Sequence, residues 1–353
     1  MQERVVSMEK TTKENLGRGS SLIGVDIGGA ELKLALVKNG NYQLVCERLP
    51  ENLVKGGHIQ APEQLARLIR SVRSKYRLGT GRCAVILPDF TTYFRRITLP
   101  PMTVDQLKIN LPYEFRDYIG GDTDKYFFDY AMERALTAEN GAVTGLEMAA
   151  AAVQKTTIEE YMQLFRRAGM RLSLALPYEM VYTNLMKSHL RQYPEDGLKE
   201  FCLVELGYDS SRVVIMQGAA VLASKVIEIG CHQVDEAIAD TFHIDAYVAA
   251  EYRRTNHDDA LSAPQCVNVY DQLAVEVMKV INFHAYNNRD SQLADVYFCG
   301  TGAAIDLMKE TVTGAVQFTQ HSITELLPQA NGADEALMTT CAMAIGVVLE
   351  TEG

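Results

Sequence analysis

The feature that most narrows the fold is a strand grammar that occurs twice. Residues 22–34, "LIGVDIGGAELKL", run an apolar strand into an aspartate just ahead of two glycines and out into a second apolar strand. Residues 203–215, "LVELGYDSSRVVI", repeat it about half a chain later, with Glu205 and Gly207 in the places of Asp26 and Gly28. In each copy a glycine turn, "KNG" at 38–40 or "QG" at 217–218, leads into a third strand. Two antiparallel meanders of one pattern predict an α/β chain of two lobes related by a weak internal duplication. With 353 residues, 47% of them hydrophobic, the chain is long enough to build both cores.

Between the copies, Leu65, Leu68, Ile69 and Val72 fall on one stripe, which predicts a helix over 61–76 followed by the strand "CAVILP" at 83–88. From about 91 to 153 the texture changes to short strands around a helix. Thr103 is placed to cap that helix and Pro112 to kink or split it, and the whole reads as a small α+β insertion. A capping box is expected from Thr156 to Glu159, with Gly169 as the C-cap of the same helix. The polar "YPEDGLKE" at 193–200 marks the lobe boundary. Helices are expected from His232 to about Asn287, then the strand "DVYFC", a "GTGAA" turn and a last helix.

Glycines ahead of a strand let backbone N–H groups approach phosphate oxygens, and a neighbouring carboxylate can hold a magnesium ion through its waters. One such turn alone is more often an ordinary hairpin whose glycines only satisfy the turn. The second turn adds the hydroxyls of Ser210 and Ser211, and a third, "FCGTGAAI", sets Gly300 and Gly302 between a strand and a helix, where a flat base can lie on bare backbone. Three such turns in this order favour a nucleotide.

Other classes are disfavoured. A net charge of −11, with no segregated basic block, opposes nucleic-acid binding. Seven cysteines are scattered singly without a CxxC pair, which suits reduced thiols rather than a zinc site or disulfide frame. His232, His257 and His284 lack acids at metal-ligand spacing. The first twenty residues lack the apolar core of a signal peptide and read as a disordered tail, and no run is apolar enough to span a bilayer.

The three turns resemble the phosphate and adenosine motifs of the actin/Hsp70/sugar-kinase superfamily, and "CAMAIGVVLE" resembles its final connecting helix. Within that superfamily the middle of the first lobe is similar to the PilM family of cytoplasmic, actin-like type IV pilus assembly proteins. "ILPDFTTYFRRITLPPMTVDQL", "YEFRDYIGGDTDKYFFDY" and "AAAVQKTTIEEYMQLFRRAGMRLSLALPYEM" follow that family's strand, helix and insertion in order, and the likeness spans roughly residues 21–350.

The resemblance implies a two-lobed actin-like ATPase fold of duplicated ribonuclease H-like lobes. Lobe I would span 21–198, with an FtsA-like insertion of the 1C type at about 91–153; lobe II would span 199–353, with a helical 2B subdomain at about 232–292. It implies ATP and Mg²⁺ as cofactors. Asp26 and Glu205 would face the metal; Gly28, Gly29 and Lys33 would serve the first phosphate loop, and Gly207, Ser210 and Ser211 the second. Gly300 and Gly302 would serve the adenosine, and Glu251 and Arg254 of "AAEYRR" its ribose and base. Three departures bear on hydrolysis: Glu205 stands for a usual aspartate, Thr301 for a glycine of the adenosine turn, and Cys231 for the second glycine of a pair.

The implied function is an ATP-binding scaffold of the pilus, or related type II secretion, inner-membrane platform, in which nucleotide between the lobes modulates partner binding. With no convincing catalytic base it would be at most a weak ATPase. Its partners would be an N-terminal cytoplasmic peptide of the membrane protein PilN, bound near the insertion, and other pilus platform or motor proteins; self-association stays open. It would sit in the cytoplasm, reaching the inner face of the membrane only through partners. A sugar kinase spells "DIGG" too, and Asp89 is its only tempting base, but the cysteine-rich zinc loop usual in the ROK sugar kinases is absent. An FtsA-like division protein would need a basic amphipathic helix at its end, where this sequence reads "VVLETEG". A scaffold that keeps the fold and binds no nucleotide is the remaining alternative.

Overall fold

The computed structural model of the chain describes residues 22–349 apart from 39, 80 and 330–332. The N-terminal tail expected over 1–20 lies outside the described residues.

The first meander forms as expected from β1 (Ile23–Ile27), β2 (Glu31–Lys38) and β3 (Asn41–Arg48). β2 and β3 pair antiparallel from Glu31 with Arg48 to Lys38 with Asn41. A two-residue pair, β4 (Val54–Lys55) and β5 (His58–Ile59), leads to helix α1 (Pro62–Lys75), which buries Leu65, Ala66, Ile69 and Val72 and leaves its arginines outside. Strand β6 (Arg82–Leu87) follows and is buried along nearly its whole length.

The insertion consists of β7 (Thr92–Leu99), α2 (Val104–Glu114), α3 (Arg116–Ile119), β8 (Tyr126–Thr137) and β9 (Val143–Gln154). Its sheet runs β7-β9-β8, all antiparallel. It has a core of its own, built from Ile97, Leu99, Leu107, Leu111, Phe115, Ile119 and Met148 with the small Ala150 and Ala152. Thr103 caps α2 in a reciprocal box with Gln106. Pro112 does not split the helix at its own position. The break falls three residues on, at the buried Phe115, whose N–H turns back to the Pro112 and Tyr113 carbonyls.

Helix α4 (Lys155–Arg167) has Gln154, the last residue of β9, as its N-cap, two residues before the expected one; Thr156 is therefore inside the helix and no side chain caps it. Its far end is as expected. Gly169, at φ +74°, is left-handed, and the next N–H, of Met170, returns to the Phe165 carbonyl. Strand β10 (Arg171–Pro177) pairs parallel with β6, and α5 (Tyr178–Gln192) follows.

The second meander is β11 (Glu200–Leu206), β12 (Ser211–Gln217) and β13 (Ala220–Ile227). Three helices come next, α6 (Cys231–Phe242), α7 (Ala246–Thr255) and α8 (Pro264–Asn287). Then come β14 (Asp295–Cys299), α9 (Asp306–Val316), β15 (Thr319–Ser322), α10 (Glu335–Thr340) and α11 (Ala342–Gly346). The sheet order is β13-β12-β11-β14-β15, with β11, β14 and β15 parallel. Its core joins Val204, Val213 and Phe298 of the strands to Val234 and Ile238 of α6, Tyr270 and Leu273 of α8, and Met308 of α9.

The chain packs into two compact units. One holds residues 62–181; the other joins 24–61 to 182–349. Both meanders, and with them all three glycine turns, belong to the second unit. Among the described residues no helix is long and apolar enough to cross a membrane. All seven cysteines are free thiols, six of them buried.

Candidate functional site: three converging glycine turns

The first turn is closed by the Gly28 N–H on the Glu31 carbonyl at 2.9 Å, which leaves Gly29 and Ala30 at a half-buried tip. Asp26, at the end of β1, and Lys33, on β2, are both buried and lie 3.7 Å apart as an ion pair. Burial pushes the Asp26 carboxyl up while Lys33 opposes it. Burial likewise disfavours the Lys33 ammonium, but the charges of Asp26, Glu31 and Glu205 outweigh it and hold its pKa above the ordinary value.

The second turn has the same construction, with the Gly207 N–H on the Ser210 carbonyl at 3.1 Å. Glu205 is buried, accepts a hydrogen bond from the Tyr182 hydroxyl at 2.8 Å and lies 3.8 Å from Nε of Arg212. Burial raises its pKa, against the pull of Arg212. The Ser211 hydroxyl donates to the Ile229 carbonyl and is spent on holding β12 to the segment after β13. Ser210 stays at the half-buried tip.

The turns meet through a residue that the sequence reading did not single out. The Asp209 carboxylate lies against the α-carbon of Gly29, so close that a Cβ there would stand 2.2 Å from Oδ2. The third turn stacks on the second: a Cβ at Gly300, whose φ is +88°, would be 2.6 Å from the Leu206 carbonyl, and one at Gly302 2.8 Å from the Leu206 Cβ. The Thr301 hydroxyl donates to the Glu31 carboxylate, which ties the third turn to the first. Gly300 and Gly302 are thus fixed by close backbone approach to β11.

Helix α6 also leans on the second turn. Its Cys231 and His232 N–H groups donate to the carbonyls of Gly207 and Tyr208 at 3.0 and 2.9 Å, so these first amides are used internally. Behind them Arg253 of α7 makes a two-pronged bond to Asp235 of α6, with Nε to Oδ1 at 2.6 Å, and both are buried. The Tyr208 hydroxyl joins the same carboxylate. The neighbouring Glu251 and Arg254 are half exposed and pair with each other; Glu251 also lies 3.9 Å from Arg48, whose guanidinium covers the Tyr247 ring at 4.1 Å. The structure therefore brings Asp26, Gly28, Gly29, Lys33, Glu205, Gly207, Ser210, Gly300 and Gly302 together. Glu251 and Arg254 are half exposed on α7, with Glu251 near Arg48, the register partner of Glu31, while Arg253 of the same helix is buried. A sequence signal for Arg253 exists: it shares a helical face with Ala249 and Ala250, both buried.

The donor set fits a polyphosphate. Two half-buried turn tips offer backbone N–H groups, with a lysine ammonium behind them. No cluster of three or more His, Cys, Asp or Glu able to hold a metal occurs among the described residues. Magnesium carried by a nucleotide needs less, one or two carboxylates beside phosphate and water. Asp26, Glu31 and Asp209 are the acids at the first turn, Asp26 paired with Lys33 and Glu31 bonded to Thr301, and Glu205 at the second turn is held by Tyr182 and Arg212.

A family model described as type IV pilus assembly protein PilM matches residues 24–346. Among solved structures, a PilM–PilN type IV pilus biogenesis complex is similar with a TM-score of 0.77 at 20% identity, covering 94% of this chain and 98% of that one. The ethanolamine utilization protein EutJ from Carboxydothermus hydrogenoformans is similar with a TM-score of 0.57 at 14% identity, covering 93% and 89%. A comparison with curated proteins finds no match.

Proposed function

The chain belongs to the family of type IV pilus assembly protein PilM and has the actin-like ATPase fold, and from that premise we propose that it is an ATP-binding scaffold of the pilus assembly platform. The observation that carries the nucleotide part is the meeting of the two acid–glycine turns, with Lys33 buried behind one and Asp209 lying on its tip. In this reading ATP sits with its phosphates at Gly29, Ala30 and the Gly207 to Ser210 tip. Its Mg²⁺ would be held by Asp26 and Asp209, which supplies charge neutralisation. Lys33 and the turn amides bind and orient the phosphates; Thr301, by holding Glu31, fixes the third turn next to them. Glu205, in the place of a usual aspartate, is held by Tyr182 and Arg212, so slow hydrolysis or none is expected. The two meanders open the proposed lobes, 21–198 and 199–353, and nucleotide occupancy modulates what the scaffold binds.

The partner part rests on the insertion. Helix α2 is apolar on two faces: Leu107 and Leu111 point into the insertion's core, while Ile109 and Tyr113, four residues apart, are 67% and 62% exposed. An exposed aromatic and aliphatic pair on a rigid helix suits the centre of an interface. The proposed occupant is the N-terminal cytoplasmic peptide of a PilN-type membrane protein, which would place this chain at the cytoplasmic face of the membrane; other platform proteins and self-association would use further surfaces. Family membership sets the sugar-kinase alternative aside.

Thermal unfolding with ligand tests the nucleotide reading. ATP with Mg²⁺ at about 100 times its Kd should add roughly 2.7 kcal/mol and raise the Tm. An unchanged Tm with millimolar ATP and ADP would leave the nucleotide-free scaffold as the reading.

A further inference from the structure

Resting on the reading of a chain that works at the cytoplasmic face of the membrane, we propose that one end of the 62–181 unit is a docking surface for anionic phospholipid, so that the chain touches the bilayer itself as well as a membrane partner. The chain as a whole is acidic, with 34 basic against 45 acidic side chains. Yet residues 64–88 and 161–178 contain eight arginines, one lysine and no acid. The two stretches stand far apart in sequence, and the fold brings them together. Arg70 of α1 donates to the Arg167 carbonyl at the end of α4, and Arg73 to the Gly169 carbonyl at 2.6 Å. The Arg171 N–H reaches the Gly81 carbonyl at 2.7 Å, and Arg171 stands opposite Arg82 where β10 and β6 begin. The ends of two helices and the starts of two strands thus share one basic face.

Part of this charge serves the fold. Arginine near a helix C-terminus bonds the last carbonyls and faces the negative end of the dipole, which accounts for Arg70 and Arg73. Arg167 pairs with Glu63 at 3.3 Å. Neither reason covers Arg77, Arg166 and Arg171, which are exposed and make no side-chain hydrogen bond or ion pair among the described residues. Arg77 is the most telling of the three. Helices α1 and α4 end in the same way, the Leu78 N–H returning to the Arg73 carbonyl at 3.0 Å and the Met170 N–H to the Phe165 carbonyl at 2.8 Å. The left-handed residue that closes α4 is Gly169, at φ +74°, whereas the one that closes α1 is Arg77, at φ +52°. A side chain in that conformation is strained where glycine is not. The guanidinium meets nothing within the chain that would offset the strain, so its use lies outside.

Anionic headgroups suit this face. The inner leaflet carries a negative surface potential, and each basic side chain close to it strengthens binding on the order of fivefold. Tyr76, 36% exposed and with the Lys75 ammonium 4.8 Å from its ring centre, adds an aromatic of the kind that settles at headgroup level. The remaining surface is acidic and is repelled by the same potential, which confines contact to this face and orients the chain.

The test is co-sedimentation of the full chain with vesicles of phosphatidylcholine alone and of phosphatidylcholine containing about one third phosphatidylglycerol. Wild type should bind the anionic vesicles at least about tenfold more tightly than the neutral ones, and the difference should shrink as salt is added. The triple variant Arg77→Gly, Arg166→Ala and Arg171→Ala should lose at least about tenfold in that binding, and Arg77→Gly alone about threefold. Because glycine suits the left-handed position, the ligand-free Tm of Arg77→Gly should equal or exceed that of wild type, which separates loss of binding from loss of fold. A control that removes the same charge from exposed positions on β4 and in the insertion, Lys55→Ala with Lys108→Ala and Lys125→Ala, should bind as wild type does. Equal weakening by the two triple variants would overturn the proposal, as would equal binding to both kinds of vesicle or none to either. Tighter binding of a labelled DNA duplex than of anionic vesicles, lost in the arginine variants, would overturn it in favour of a nucleic-acid surface. In each of these cases, binding of a PilN peptide measured alongside would leave the platform reading standing. A chain that bound neither vesicle nor peptide would overturn both.

Discussion

Gly24 and Gly29 stand five residues apart and look alike in sequence, yet their surroundings are of opposite kinds. A Cβ at Gly24 would lie 1.9 Å from the Ala344 carbonyl oxygen and 2.9 Å from a Val347 methyl, so it would strike the backbone that packs on β1. One at Gly29 would strike only the far end of the Asp209 side chain. Gly24→Ala should therefore destabilise the protein by about 3 kcal/mol, the upper range for overpacking, while Gly29→Ala should cost under about 1 kcal/mol. Urea unfolding checks this through the midpoints at constant slope; equal shifts for the two variants would refute it. The same contrast explains what was legible at this scale. Glycine positions and the Asp26 and Lys33 types stand in the sequence, but what each glycine touches does not. Asp209 sits at a turn position that looks like solvent, and Arg253 is one residue from the pair that the family pattern picks out. Their roles come from neighbours far along the chain, so no local pattern announces them.

At the scale of elements, strand existence and type were legible, because both meanders carry long apolar runs punctuated by glycine. Helix ends were less so. The sequence marks Thr156 as a cap, but the helix begins directly at the end of β9, with Gln154 as its N-cap, and Thr156 falls inside the first turn. One tie between elements was not legible at all. Glu200, at the start of β11, accepts from the Ser291 hydroxyl at 2.6 Å and the Gln292 N–H at 3.0 Å and lies 3.0 Å from Nε2 of the buried His284 on α8. Burial pushes its carboxyl up, but these hydrogen bonds outweigh it and leave the pKa below the ordinary 4.5. A lowered folded value means that the tie contributes fully above the unfolded pKa and is lost as pH falls through the folded one. Glu200→Gln cannot titrate, so its Tm should fall less than that of wild type between about pH 6 and pH 3.5, while starting lower at pH 6. Parallel acid limbs in the two melting profiles would remove Glu200 from the acid response.

At the scale of the molecule, the insertion is the part whose job the packing separates most cleanly from the rest. It has its own sheet and its own core, and α2 spends Leu107 and Leu111 on that core. Ile109 and Tyr113 then have no part in holding the insertion together, since both project from the opposite side and remain largely exposed. Tyr118 adds to the exposed aromatic surface just beyond, with the Arg95 guanidinium 4.6 Å over its ring. The double substitution Ile109→Ser with Tyr113→Ser should therefore leave the ligand-free Tm within about 2 °C of wild type, because exposed positions cost little. It should leave nucleotide affinity unchanged as well. Binding of a synthetic N-terminal PilN peptide should weaken at least about tenfold, as expected when an aromatic anchor and its neighbour leave an interface centre. Fluorescence anisotropy of the labelled peptide measures this directly. If the peptide bound the double variant as tightly as wild type, the partner face would have to lie elsewhere on the chain. If the Tm fell sharply instead, the two side chains would belong to the insertion's own packing. Only a loss of peptide binding with stability and nucleotide affinity intact assigns the exposed face of α2 to a partner.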